Sequence, residues 1–231
     1  MQRPVHVIIP FKLNGAKSRL SPVLSSEERR LFALAMLQDV LKAVSYAGST
    51  TILAKPGFDK SNLDGNFSVI TCDLDLNDAI NATISHQQSE GWPEDILIVM
   101  ADLALLTSEN VRDILQVEGD VVFSPGRGGG TNMILIRSPL FRTQYRGLSY
   151  LKHMDFIRTM RLDARIYASY YAACDIDEPS DLAEILIHGK GVSRSFLESI
   201  GIELSENGRA IIIRETMNKN VCESNINTNI I

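Results

Sequence analysis

Five consecutive apolar residues, Ile96-Leu97-Ile98-Val99-Met100, followed by Ala101 and Asp102, constrain this chain more than any other stretch. A short, uninterrupted apolar run reads as a strand buried on both faces, as in a parallel sheet covered by helices. The run then stops at an acid. Open α/β sheets bind their ligands at the carboxyl ends of strands, so Asp102 falls where that architecture places chemistry. An acid here also suits a helix start or a plain loop. The rest of the chain bears on the choice.

The first strand is read over 5–9, from Val5-His6-Val7-Ile8-Ile9, and Pro10 ends it. His6 inside it reads as a core or edge residue. Ser25 and Glu28 have the spacing of a capping box, and a helix follows to about 45. Its apolar stripe is Leu31, Leu34, Leu37, Leu41 and Val44, broadened by Phe32, Met36 and Val40. Strands are expected over 50–54 and 67–71, then a helix to about 89 with Asp75 as its cap. After Asp102, Thr107 or Ser108 starts a helix to about 117, and 119–123 is a strand. The apolar run 133–136 suggests a direct strand-to-strand connection across the intervening loop. A helix over 149–160 with Ser149 as cap, a strand over 165–172, and a helix from Pro179 to 187 complete the pattern.

Strands alternating with helices imply one Rossmann-like α/β domain over residues 1–188, with a mostly parallel, mixed sheet covered by helices. Past Gly189 the pattern changes to a short helix over 192–200 and two short apolar runs flanking Asn207-Gly208, a hairpin signal. Residues 189–216 are therefore a helix-and-hairpin extension, a candidate arm for a homodimer. Residues 217–231, rich in Asn and Ser, are expected to fray.

Composition removes several classes. The 231 residues are 45% hydrophobic, enough for a sizeable core, with no run long enough to span a membrane. Met1-Gln2-Arg3-Pro4 leads straight into a strand, so no export signal is expected. Cys72, Cys174 and Cys222 are far apart, odd in number and without CxxC spacing. That suits a reducing cytoplasm and speaks against a disulfide framework or a zinc site. A net charge of −5 gives no general attraction to nucleic acid. An anionic ligand must then be met by local cations or by a bound metal.

Local cations are present. The loop leaving the first strand carries Lys12, Lys17 and Arg19. It lacks the Gly-x4-Gly-Lys spacing of a P-loop, yet point charges and forked donors on one loop can hold a triphosphate; a solvated basic loop would carry the same residues. Ser124-Pro125-Gly126-Arg127-Gly128-Gly129-Gly130-Thr131-Asn132 has four glycines in five positions, which lets backbone amides approach a ligand. A flexible hairpin tip would have the same composition. Asp175 and Asp177 in an extended segment point the same way, because side chains alternate along a strand. Asp102 and this pair all end strands that are expected to lie side by side. Three converging carboxylates repel unless a cation sits between them, and Mg²⁺, hard and usually shared with phosphates, fits. The chemistry suggested is metal-assisted nucleotidyl transfer without a covalent nucleophile.

Four stretches resemble the 2-phospho-L-lactate guanylyltransferase family. They are Ile9-Pro10-Phe11-Lys12 with Ala16-Lys17-Ser18-Arg19-Leu20-Ser21-Pro22; Ala101-Asp102-Leu103; Gly129-Gly130-Thr131-Asn132; and Asp175-Ile176-Asp177-Glu178-Pro179-Ser180-Asp181-Leu182. The similarity spans about residues 5–187. The first motif is specific to the family, and the last is shared more widely among nucleotidyltransferases of the GT-A-like fold. The resemblance implies transfer of GMP from GTP to 2-phospho-L-lactate with release of pyrophosphate, a step toward the deazaflavin coenzyme F-420. Bacterial members of the family use phosphoenolpyruvate.

Carried over by resemblance, Asp102, Asp175 and Asp177 would hold Mg²⁺, and Lys17, with Arg19 and Lys12, would face the GTP phosphates. Asn77 in Leu76-Asn77-Asp78-Ala79 would lie near the guanine pocket. Thr131 and Ser149 would bind the phosphate of the acid, with His153 beside them. Ala104 and Arg146 stand where the family usually has Pro and Gly. Two alternatives remain open: a nucleotidyltransferase for a pterin or sugar-phosphate acceptor, and a non-catalytic nucleotide-binding module.

Overall fold

The computed structural model describes residues 3–13, 15, 17–205 and 212–214. Among these residues, nine strands form: β1 (Val5–Phe11), β2 (Ser49–Ala54), β3 (Ser68–Thr71), β4 (Asp95–Val99), β5 (Val121–Pro125), β6 (Thr131–Ile136), β7 (Ala164–Ile166), β8 (Ile202–Leu204) and β9 (Ile212–Arg214). The described helices are α1 (Ser26–Val44), α2 (Leu76–Ser89), α3 (Ser108–Gln116), α4 (Ser149–Met160), α5 (Tyr170–Ala173), α6 (Asp181–His188) and α7 (Val192–Ser199).

The first seven strands make one sheet in the order β3-β2-β1-β4-β6-β5-β7. Only β6 runs against its neighbours β4 and β5. Its reversal follows from the connection before it. Gly126 donates to the carbonyl of Gly130 at 3.1 Å, closing a turn too short for the crossover that a parallel strand needs. Gly128 sits there at φ 75°, a conformation that favours glycine.

β4 is buried on both faces, as its apolar run suggested. Leu97 and Val99 join a cluster with Leu34, Leu37 and Leu41 of α1 and Val111 and Ile114 of α3. Ile96 and Ile98 join the opposite cluster with Ile80 and Ile84 of α2 and Ile157 of α4. β1 pairs in parallel with β2 on one side and β4 on the other. The chain leaves β1 toward β2 and β3 and returns through β4, so a switch point opens between the carboxyl ends of β1 and β4.

Local signals placed three helix starts. Ser25 and Glu28 form the capping box, Asp75 accepts from the amide of Asp78, and Thr107 caps α3. Ser149 is the first helical residue of α4 rather than its cap, which is Leu148. Leu31, assigned to the buried stripe of α1, is 39% exposed. α1 instead buries Phe32 and Met36 sideways, against the C-terminal elements.

The strand expected over 165–172 is short: β7 stops at Ile166, and Tyr170 to Ala173 form one helical turn. The partner strand explains this. The β5–β7 ladder ends at Phe123 and Ile166, and Pro125 at the end of β5 has no N–H to extend it. Pro179 lies ahead of α6, which begins at Asp181.

A third apolar cluster lies under the switch point. It gathers Leu20, Leu24, Phe32, Met36, Leu105, Ile176, Leu182 and Ile185 with Leu197 and Ile202 from the C-terminal elements. α7 packs on α1, with Phe32 and Phe196 stacked 5.9 Å apart. The buried Asp39 carboxylate of α1 accepts the amides of Val192 at 2.6 Å and Ser193 at 3.0 Å, together with the Ser193 hydroxyl. A Cβ at Gly191 would fall 2.1 Å from that carboxylate, so glycine is required there. β8 and β9 pair antiparallel, as the flanking runs predicted. The Asn207-Gly208 turn and the tail from 217 lie outside the described residues. No helix among the described residues is long and apolar enough to cross a membrane.

Candidate active site

A cleft of about 320 Å³ opens at the carboxyl ends of β1, β2 and β4. Pro10, Phe11, Leu53, Ala54, Leu74 and Leu76 supply apolar walls, and Lys12, Lys17, Lys55 and Asp102 supply charge. A mostly apolar slot with a few convergent charges is the usual form of a nucleotide-sized site. Lys55 carries no motif, yet its ammonium donates to the carbonyls of Asp73 at 2.7 Å and Leu74 at 2.8 Å, pinning the far wall. Its position gives the only clue: it follows β2 immediately, as Lys12 follows β1.

At the mouth stands an ion cluster. The Lys17 ammonium, 10% exposed, lies 2.7 Å from Asp102 Oδ2 and 2.7 Å from Asp177 Oδ1. Lys17 adopts φ 55°, a sparsely populated conformation for a residue with a Cβ. Burial works against its charge, but attraction to Asp102 and Asp177 and the hydrogen bonds they accept outweigh it and raise its pKa. Lys17 is therefore a firmly held cation. Arg19 is 69% exposed and lies 3.6 Å from Asp177 Oδ2.

Asp175 and Asp177 reach Asp102 by a different route from adjacent strands. The segment after α5 docks through Ile176, whose amide donates to the carbonyl of Asp102 at 3.3 Å. Cys174 and Ile176 are buried while Asp175 and Asp177 are partly exposed, the alternation expected of an extended segment. Asp175 accepts from Asn132 Nδ2 at 3.4 Å. Burial, and then the charge of Asp102, push its carboxyl up.

Asp181, unassigned from sequence, shapes this turn. Its Oδ2 accepts the amides of Asp177 and Glu178, each at 2.8 Å. Its Oδ1 takes Arg127 Nη2 at 2.7 Å, and the same guanidinium nitrogen reaches the carbonyl of Asp175 at 2.8 Å. Arg127 of the glycine-rich loop thus clamps the acidic turn. Asp181→Ala is expected to cost about 1.5–3 kcal/mol through lost charge-assisted bonds. That lowers the melting temperature by several degrees, and an unchanged melting curve would deny Asp181 this role.

The three acids gather in one neighbourhood, but their arrangement differs from the expected metal cage. Among the described residues, no group of three or more His, Cys, Asp or Glu side chains stands in a geometry to hold a metal ion. The Lys17 ammonium takes the interval between Asp102 and Asp177. The donor chemistry nonetheless suits a divalent cation. The oxygens are hard, and Asp102 Oδ1 is buried without a hydrogen-bond partner, which leaves a carboxylate oxygen short of positive charge.

Asn77 does not line the cleft. Its Oδ1 accepts the Thr143 hydroxyl at 3.1 Å and the Tyr145 amide at 3.0 Å, so it supports the loop before α4 instead. Thr131, Ser149 and His153 do meet. Thr131 Oγ1 lies 3.1 Å from Ser149 Oγ and 3.0 Å from His153 Nδ1. The position beside the substrate expected for His153 is corrected: its ring has no solvent exposure. It stacks on Phe123, with both nitrogens engaged. Arg146 pairs with Asp75 at 2.9 Å on the outer surface.

Burial pushes the His153 imidazole down from its usual 6.5 to about 4. A pKa depressed on folding gives stability that is full above the unfolded value and lost as pH falls through the folded one. The contribution is about 3 kcal/mol, lost between roughly pH 6.5 and pH 4. Denaturant titrations at intervals from pH 7 to pH 4 check this: the stability gap between wild type and His153→Asn should narrow toward acid.

The fold has known counterparts. One solved structure, described as a nucleotide-diphospho-sugar transferase from Desulfovibrio desulfuricans G20, superposes with a TM-score of 0.68 at 17% identity, covering 85% of this chain and 95% of that one. CMP:2-keto-3-deoxy-manno-octonic acid synthetase, solved with CTP, gives 0.52 at 10% identity, covering 85% and 99%. At these identities the likeness concerns the fold alone. Sequence relatives are much nearer. A 2-phospho-L-lactate guanylyltransferase of Methanothrix thermoacetophila is 48% identical, covering 89% of this chain and 94% of its own length. A protein of the same name from Methanoregula boonei is 42% identical, covering 90% and 95%. The family described as "Guanylyl transferase CofC like" matches residues 5–217, from the first strand past the β8–β9 pair. With that span matched and nearly half the residues shared with a full-length relative, the chain belongs to the CofC-like guanylyl transferases.

Proposed function

We propose that this protein transfers GMP from GTP to 2-phospho-L-lactate with release of pyrophosphate, a step in making coenzyme F-420. The observation that carries the proposal is the held Lys17 cation at the switch-point cleft, 2.7 Å from both Asp102 and Asp177. The relatives' shared name supplies the substrates. A phosphate oxygen of the acid attacks the α-phosphorus of GTP. The bond from that phosphorus to the bridging oxygen breaks, and pyrophosphate departs. The attacking oxygen is already anionic, so no general base is required. Lys17 and Lys12 would neutralise the phosphates, with Arg19 at the rim, while the apolar walls take the base. Thr131 and Ser149 would hold the acid. Asp102, Asp175 and Asp177 would hold Mg²⁺, which supplies charge stabilisation at the phosphates when bound.

The test is pyrophosphate release with GTP and Mg²⁺, offering 2-phospho-L-lactate and phosphoenolpyruvate separately. Release that depends on the acid and is faster with phospholactate is expected. Folded protein silent with both acids would overturn the proposal, and equal rates with other nucleotides would overturn guanine selectivity. The unit proposed is a cytoplasmic homodimer. Its support is the two-stranded β8–β9 sheet, separate from the main sheet and with edges of its own. Sedimentation of the full chain at monomer mass would reject it.

A further inference from the structure

The cluster behind Ser149 has a direction that can be read from its partners. His153 Nε2 lies 2.8 Å from the backbone amide of Gln144. An amide N–H can only donate, so Nε2 carries no proton. A neutral imidazole then has its proton on Nδ1, which faces Thr131 Oγ1 at 3.0 Å. Thr131 accepts that proton's hydrogen bond and keeps its own hydroxyl proton to give. Ser149 Oγ, 3.1 Å away, is its partner. The Ser149 backbone amide is already spent on the carbonyl of Gly147 at 2.8 Å. The hydroxyl proton is thus the donor that Ser149 has left.

We propose that His153 is a positioning residue that never touches substrate. Held in its Nδ1–H form, it orients Thr131 and then Ser149, so that the Ser149 hydroxyl is presented as a donor to the anionic head of the phospho-acid. The reverse order, with a proton on Nε2, would oppose the Gln144 amide and turn an oxygen lone pair toward the anion. The inference rests on the proposed transfer to a phosphorylated acid. It also accounts for a polar residue among Phe123, Phe141 and Tyr145, whose rings lie 5.1–5.8 Å from the imidazole. The rigid apolar packing fixes the ring plane, and the Gln144 amide fixes which nitrogen is protonated.

The experiment combines a spectroscopic and a kinetic measurement on the full chain. Imidazole ¹⁵N spectra at neutral pH, with the His153 signal identified by its loss in His153→Asn, read the tautomer. Protonation on Nδ1 is expected, and protonation on Nε2 or on both nitrogens overturns the proposal. Thr131→Val, close in shape, leaves the buried Nδ1–H of His153 without its acceptor and should melt a few degrees lower, and it should raise KM for the phospho-acid about tenfold or more, the loss expected of a charge-assisted bond. KM for GTP should stay within about twofold, and Thr131→Ser should restore the acid KM. His153→Asn keeps a donor near the Nδ1 position and loses the acceptor for Gln144. Without the stacked ring and the Gln144 lock its amide can turn either atom to Thr131, so it should melt lower and raise KM for the acid several-fold, with KM for GTP within about twofold of wild type. Acid and GTP KM rising together with falling stability would show a merely structural role. Wild-type silence toward both acids would fail the guanylyl-transfer proposal, and the orienting role would then be decided by the tautomer alone.

Discussion

Asp102→Asn is expected to lower the rate of pyrophosphate release by about 10²–10³-fold or more, the scale on which a single group aimed at transition-state charge acts. The fold should survive. Asn keeps the shape of the side chain and loses one ion pair to Lys17, which retains Asp177 at 2.7 Å. The substitution also removes the charge that, after burial, raises the Asp175 carboxyl, so lost attraction and relieved repulsion offset. A melting temperature within a few degrees of wild type, beside a collapse in turnover, separates a chemical role from a structural one. Near-wild-type turnover would remove Asp102 from the reaction.

Lys17→Met should show a different pattern. Three carboxylates then share one corner without the ammonium that bonds to two of them. The pair is partly buried, so the loss falls between that of an exposed and a fully buried ion pair, about 1–3 kcal/mol. Turnover should drop about 10²-fold or more through lost charge at the phosphates. Added Mg²⁺ should raise the melting temperature of the variant more than that of wild type, because the cation then fills a place from which Lys17 no longer repels it. Equal Mg²⁺ effects on both proteins would show that the ion and the ammonium do not compete for one set of oxygens.

Much of the fold was legible because its signals are local. The β4 run has the composition of a doubly covered strand, and Ser25, Asp75 and Thr107 stand at cap spacing from the residues whose amides they take. The β5–β6 reversal was readable from the glycine-rich turn. What sequence could not supply were contacts between distant segments. Lys17 and Asp177 are 160 positions apart, and nothing local says that one ammonium bridges two acids. The approach of Asp175 and Asp177 was read as a strand end. Its actual basis is the Asp181 carboxylate and Arg127, which receive their meaning from the packed structure. His153 was placed beside substrate because it follows a motif serine, whereas α4 turns it inward against Phe123. Asn77 lies in a segment whose Leu76 and Ala79 line the cleft, but its own side-chain partners, Thr143 and Tyr145, lie 66 and 68 residues on and could not be read locally.

The clasp between Asp39 and the start of α7 joins residues 153 and 154 positions apart. Synthesis runs from the amino end, so α1 leaves the ribosome long before α7 exists. Until then Asp39 has no amides to receive, and Phe32 and Met36 have no cover from Leu197 and Ile202. The same apolar patch carries Leu20, Leu105 and Ile176, which seat the loops of Lys17, Asp102 and Asp177. A nascent chain therefore cannot assemble its reactive corner piecemeal, and chains cut short before α7 would present a greasy surface to chaperones and proteases. The reactive corner gains its full apolar backing only once synthesis has passed α7 and β8.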